Sequence, residues 1–172
     1  MITEQQALSL LDKYNLPSSR INHSKGVASF ANELALAIKQ HHPELDIDPD
    51  KVRIAALLHD VGRGMEGDHE LNSVRILKQE GLADLADIVM HGSMYELSVI
   101  HGAPDESLLP RTIENKIVAY ADTRFKDSLV SLNERFNEVL ERRRLEKEKS
   151  ESVKMAAQRY DIIEKELMEL AS

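Results

Sequence analysis

Cysteine is absent from this chain, so disulfides and thiolate metal sites are excluded, and a reducing compartment is compatible with the absence. Tryptophan is absent too, and aromatic residues make up only 4%, which argues against a stacking platform for single-stranded nucleic acid. Positive charge is scarce: 22 Lys and Arg stand against 30 Asp and Glu, a formal net charge of -8. General nucleic-acid binding is therefore not expected, because neutralising a phosphate backbone takes a basic face. Small phosphorylated substrates remain open, since metal ions and a few Lys or Arg supply positive charge locally. No stretch approaches the roughly 18 apolar residues of a membrane span, and Met1-Ile2-Thr3-Glu4-Gln5-Gln6 lacks the basic and apolar regions of a signal peptide. The expectation is a soluble, cytoplasmic protein with no membrane partner. Glycine and proline vanish from Arg111 to Ser172, which indicates one long helix or a helix pair with a polar joint.

What is present reads as helix almost throughout, and 172 residues suffice for one domain with a working core. Thr3 and Gln6 form a capping-box start to a helix reaching about Tyr14, broken by Leu16-Pro17. A second helix starts near Ser18 or Ser19 and runs to about His41, with His23, Val27, Ala31, Leu34 and Ile38 on one stripe. Asp48 and Pro49 open a third, apolar from Val52 to Leu58 and ended by Gly62. Asp68 caps a helix from His69 to Glu80, and Leu82 to His91 forms a short one closed by Gly92. Residues 92–111 read as the longest irregular stretch, of the kind that forms lids or binding elements. Thr112 caps a helix carrying Asp122 on a face with Asn115, Val118 and Ala119. Beyond it, Leu129, Leu132, Phe136 and Val139, then Val153, Ala156, Tyr160, Ile163, Leu167 and Leu170, form two apolar stripes. Between them the mixed charges of Glu141 to Lys149 suit a solvated helix, and the Arg142-Arg143-Arg144 triplet is read as part of it.

The most informative feature is His59-Asp60, followed at once by Val61-Gly62. An imidazole beside a carboxylate at the end of an apolar helix builds a core poorly. Neighbouring helical positions diverge by about 100°, so the two share no face, yet both can grip a cation seated off the helix end. Histidines at His23, His69 and His91, and a carboxylate at Asp122, stand on separate predicted elements. Neutral imidazole and carboxylate suit Mn, Fe, Co, Ni or Zn as divalent ions and suit calcium badly. Such an ion lowers the pKa of bound water toward ~7 and draws charge from a phosphoryl oxygen, which makes phosphoester hydrolysis the natural chemistry. His41 and His42 read as exposed helix-end residues, and His101 as a loop residue.

In that order, His23, His59-Asp60 and Asp122 resemble the defining set of the HD-domain metal-dependent phosphohydrolase superfamily. Ala55-Ala56-Leu57-Leu58-His59-Asp60-Val61-Gly62 is similar to its "HDIG" phrase with Val61 for isoleucine, and Asn115 to Asp122 is similar to the helix bearing its last aspartate. The likeness runs from about His23 to Arg124. It implies an all-α HD-domain helical bundle over 1–127, while the two apolar stripes beyond it make residues 128–172 a long helical extension packed on that domain or on a partner chain. It implies a catalytic centre at His59 and Asp60, with His23, His59, Asp60 and Asp122 on a first metal. In bimetallic branches Asp60 bridges to a second metal, for which His69 and His91 are placed, giving one or two ions per chain. The expected activity is hydrolysis of a phosphoester or phosphoanhydride in a nucleotide-like substrate through a metal-bound hydroxide.

Arg63, Lys116 and Arg124 lie close in sequence to these ligands and are candidates to bind phosphate oxygens. Glu66 and Asp68 could act on a water or a leaving group, although turn and N-cap duty explains them as well. The His69 and His91 layout also resembles the branch that hydrolyses symmetrical diadenosine tetraphosphate. Dinucleoside polyphosphates therefore stand beside nucleotides, cyclic nucleotides and short oligonucleotides as substrates. The alternatives are a phosphodiesterase acting on cyclic nucleotides or short oligonucleotides, or a non-catalytic nucleotide-sensing or scaffolding module. A homodimer through the C-terminal helices is compatible with either.

Overall fold

The computed structural model describes residues 2–172, and these are all-α apart from an isolated antiparallel bridge between Phe125 and Leu129. Thr3 closes a full capping box with Gln6 at the start of α1 (Glu4–Lys13). Pro17 precedes α2 (Ser18–His41), whose buried stripe includes Val27, Ala31, Leu34 and Ile38. Asp48 accepts the amide hydrogens of Asp50 and Lys51 to open α3 (Pro49–Leu58), which is buried from Ile54 to Leu58. Helices α2 and α3 pack together with α7 (Ile113–Arg124), and their apolar faces form the centre of the core. No helix among the described residues is long and apolar enough to cross a membrane.

The end of α3 departs from the simple expectation of a glycine stop. The helix ends at Leu58, His59 keeps helical dihedrals, and Val61–Gly64 form a 3-10 turn. Gly62 has no positive φ; its missing side chain matters because a Cβ there would overlap the backbone of Asn72 and Ser73 in α4 (His69–Gln79). Its N–H donates to Ser73 Oγ at 3.0 Å, locking the turn onto α4.

Two further expectations are corrected by long-range partners. The helix expected over Leu82 to His91 is only α5 (Ala83–Ala86), because Asn115 of α7 donates to the carbonyls of Ile88 (3.0 Å) and Met90 (2.8 Å). Those carbonyls are thereby satisfied outside a helical ladder. Residues 92–111 are not mostly irregular: they hold α6 (Met94–Ile100) and a 3-10 turn at Glu106–Leu108. A seven-residue helix is marginal alone. Here Arg159 stabilises it from afar, donating to buried Glu96 at 2.7 Å and to the Gly92 carbonyl at 2.7 Å.

The C-terminal stretch is a helix pair with a polar joint, the second of the two arrangements that its lack of Gly and Pro allows, although the chain first breaks after α7. After α7 the chain turns through 125–130, with Val130 N–H on the Arg124 carbonyl at 2.8 Å, and Leu129 is exposed instead of lying on a helical stripe. A Ser131–Glu134 capping box starts α8 (Leu132–Arg143). The joint to α9 (Lys147–Leu170) is Arg144 to Glu146, inside the charged run Glu141 to Lys149 that separates the two apolar stripes. Tyr160, Ile163 and Leu167 of α9 belong to the same apolar cluster as α2, α3 and α7.

Candidate metal centre

The end of α3 delivers His59 and Asp60, both fully buried, to a point where α2, α4, α7 and the 88–91 segment converge. His59 Nδ1 lies 2.7 Å from the Ala56 carbonyl, His91 Nδ1 2.8 Å from the Val89 carbonyl, and His23 Nδ1 3.2 Å from the Lys126 carbonyl. A carbonyl only accepts, so each Nδ1 carries a proton, and in the neutral ring each Nε2 presents a lone pair. His23 Nε2 is 3.0 Å and His59 Nε2 3.2 Å from the same Asp122 oxygen, Oδ1. His59 Nε2 is 3.7 Å from Asp60 Oδ2, and His91 Nε2 is 3.9 Å from Asp60 Oδ1 and from Asp122 Oδ2. With neutral rings, lone pairs face lone pairs, which is unfavourable unless positive charge, a proton or a metal cation, sits among them.

Three ligand groups overlap in space, each with its ligand atoms within 4.8 Å of one another: His23, His59 and Asp122; His59, Asp60 and His91; His69, Glu70 and His91. His59 Nε2, Asp60 Oδ1, His91 Nε2 and Glu70 Oε2 are buried without a hydrogen-bond partner. Buried polar atoms are rarely left so, and here they converge with the donor types that bind divalent ions. The residues fit a metal.

The electrostatics agree. Burial pushes Asp60 up, but His59, His91 and the Arg63 hydrogen bond outweigh it and hold the carboxyl at about 2. Burial likewise opposes ionisation of Asp122, yet His59 and His23 keep it well below the carboxylate range. His23 and His59 are desolvated, which lowers their basicity, and the two aspartates more than reverse this, so both are raised. The site is built for positive charge.

His69 sits at the mouth, with Nε2 3.4 Å from Asp60 Oδ1. Burial first, then His91 and Arg63, pull its pKa down to about 4, leaving a neutral imidazole. Arg63 joins the two sides, donating Nε–H to Asp60 Oδ2 at 2.6 Å with Nη2 2.9 Å from His69 Nε2. Glu70, next in the chain, is buried and pushed up to about 7 chiefly by desolvation. It escapes a reading of the sequence because an acid in the first turn after Asp68 looks like ordinary helix-dipole chemistry. Gly92, at φ +73°, lies against its carboxylate where a Cβ would collide with it.

Not all sequence candidates meet here. Lys116 binds Glu166 of α9 at 2.6 Å. Arg124 binds Glu164 at 2.8 Å and also reaches Tyr120 and the Val130 carbonyl. Both tie α7 to its neighbours, because their helical positions turn them away from the ligand face. Asp68 caps α4, His42 pairs with Glu44, and His101 pairs with Glu148 at the surface. In front of the cluster lies a cavity of about 350 Å³, reached by His69, His91, Asp122 and Arg63. Its lining also includes Arg135, Arg142, Arg143 and Lys149, the last three from the charged run that the sequence pattern assigns to a solvated helix.

A family model described as HD domain matches residues 20–124, which hold all six of these histidine and aspartate positions. The chain belongs to the HD-domain family. HD domains bind divalent metals and form a family of metal-dependent hydrolases, and the clusters above are where this HD domain could hold its ions. The HD chain is 37% identical over 128 residues to an uncharacterised protein of Methanocaldococcus jannaschii, covering 69% of this chain and 72% of that one. It is 37% identical over 129 residues to a tRNA (cytidine(56)-2'-O)-methyltransferase of Thermoplasma volcanium, covering 71% of this chain but 36% of that protein. A protein of the same name from Picrophilus torridus is 33% identical over 141 residues, of which the HD chain spans 38%. No solved structure matches the HD chain.

Proposed function

We propose that this HD protein is a metal-dependent phosphohydrolase that cleaves a phosphoester or phosphoanhydride in a small nucleotide-like substrate. The observation that carries the reading is the set of imidazole Nε2 lone pairs, fixed by main-chain carbonyls and aimed at Asp60 and Asp122. His23, His59, Asp60 and Asp122 are the residues to hold a first ion. Asp60, His69 and His91 are those to share a second, with Glu70 beside them. A divalent ion bound there supplies Lewis-acid polarisation of phosphoryl oxygen and a lowered pKa for bound water.

The chain's own groups do the rest. Arg63 is hydrogen-bonded to Asp60 and His69, at the cavity, and its planar fork suits two oxygens of a phosphoryl group. The buried wall of α3 and α7 excludes water from behind the ligands, which strengthens every charge interaction in front of them. The methyltransferase activity named for the two longer relatives is not carried over, because this chain spans little more than a third of either.

The test is Asp60→Ala. Wild type is expected to purify with, or take up, a transition metal and to hydrolyse phosphate esters with Mn, Fe, Co, Ni or Zn. The variant should lose metal and lower kcat by at least about 100-fold. Wild-type metal content and turnover in Asp60→Ala would overturn the proposal.

A further inference from the structure

The cavity in front of the ligands is lined by two groups of residues of opposite character. One group presents His69, His91 and Asp122. The other is built from α8 and the start of α9, beyond residues 20–124, where Arg135, Arg142, Arg143 and Lys149 line the space without a carboxylate among them. Two carboxylates behind this wall are shared among the four cations. Glu138 takes Arg135 at 2.7 Å and Arg142 only at 3.9 Å, while Glu146 takes Arg143 at 2.9 Å and Lys149 besides. Two positive charges are left over, and Lys126, 3.8 Å from Glu138, adds to the surplus. Burial, and then the like charges of Arg135, Arg143 and Arg20, hold the Arg142 guanidinium below its ordinary pKa despite Glu138. Such crowding is costly in a free protein and is relieved by a bound anion. Leu97 of α6 and Phe136 and Val139 of α8 add an apolar part to the same lining.

We propose that the α8–α9 wall is a second anion subsite, which binds a phosphoryl group of the substrate remote from the one at the ligand cluster. The substrate class is then an organic molecule with at least two phosphoryl groups joined through an apolar or aromatic body. A cyclic nucleotide with a single phosphate leaves this wall unused. The inference rests on the phosphohydrolase reading for the identity of the near group. The wall itself is independent of that reading. Arginine is suited to the task, since two guanidiniums present forked donors to one phosphate.

Binding of two non-hydrolysable probes to the full chain, α,ω-hexanebisphosphonate and hexylphosphonate, tests the subsite by calorimetry without turnover. Wild type should prefer the bisphosphonate by about tenfold, the worth of one charge-assisted hydrogen bond. Arg142→Gln/Arg143→Gln should abolish that preference while leaving hexylphosphonate affinity within about twofold. No preference in wild type, or a preference that survives in the folded double variant, would overturn the proposal. Should the double variant melt early, Lys149→Gln replaces one exposed side chain and should cut the preference about threefold; an unchanged preference there overturns it equally. Preference without hydrolysis of any phosphate ester leaves the subsite standing and removes the hydrolase reading. Hydrolysis without preference does the reverse.

Discussion

Three of the four histidines of the ligand cluster, His23, His59 and His91, are oriented by main-chain carbonyls. A carbonyl three residues upstream holds His59, one two residues upstream holds His91, and the turn after α7 holds His23. Each contact fixes both tautomer and ring direction, which is what a metal ligand needs from its surroundings. His69 lacks such a carbonyl and leans instead on Arg63 and Asp60. Replacing it tests whether two ions are held. Wild type is expected to carry about two ions per chain, and His69→Ala and His91→Ala about one each, by elemental analysis. One ion in all three proteins with activity intact would return both histidines to structural duty. His59-Asp60 and Asp122 stand in distinctive local phrases, whereas His23 is one histidine on an apolar stripe and is singled out only by its order with them. Glu70 was not legible, since nothing in its neighbours distinguishes a buried acid from a helix-start acid.

At the scale of elements, α7 does two things at once. Its Asp122 faces the ligands, and its Asn115, two turns earlier, holds the extended segment that ends in His91. The segment carries no ladder of its own, so the Ile88 and Met90 carbonyls depend on this one side-chain amide. Asn115→Leu keeps the volume but leaves both carbonyls unpaired, at a cost of about 1–3 kcal/mol each. Denaturant melts should show that loss, and metal content should fall with it because His91 is no longer held in place. An unchanged midpoint and full metal content would show that the segment is positioned by packing alone. Lys116 and Arg124 belong to the same helix and illustrate the limit of periodicity. It specifies an angle around α7, while the partners waiting at that angle, Glu166 and Glu164, come from a helix far along the chain.

Over the whole molecule, α9 decides how the parts cohere. Val153, Ala156, Tyr160, Ile163 and Leu167 are buried, Tyr160 accepts the Gly92 N–H at 3.0 Å, and Arg159 anchors α6. Burying Tyr160, Ile163 and Leu167 contributes on the order of 5 kcal/mol or more, at about 1.5–3 kcal/mol for a large side chain. That is comparable with the net stability of a typical domain, about 5–15 kcal/mol. A chain ending at Lys149 is therefore expected to lose cooperative thermal melting or to melt far lower, and to expose apolar surface that alters its light scattering. Unchanged melting and scattering would mean that α9 is dispensable.

The sequence by itself determined the helical character, most helix starts, the first three helices and the phrases around His59-Asp60 and Asp122. Those depend on capping residues, apolar periodicity and neighbours within a few positions, all of which are local. Only the tertiary structure decided the short α5, the helix within 92–111, the joint at Arg144 to Glu146, the burial of Glu70 and the gathering of Arg135, Arg142, Arg143 and Lys149 over the cavity. In each case the deciding partner is distant along the chain: Asn115 for the 88–91 carbonyls, Arg159 for Glu96, and the packing of α8 and α9 for the cationic wall. A hydrogen bond or ion pair between remote positions leaves no periodic mark in either, so its consequences become visible only once the chain has folded.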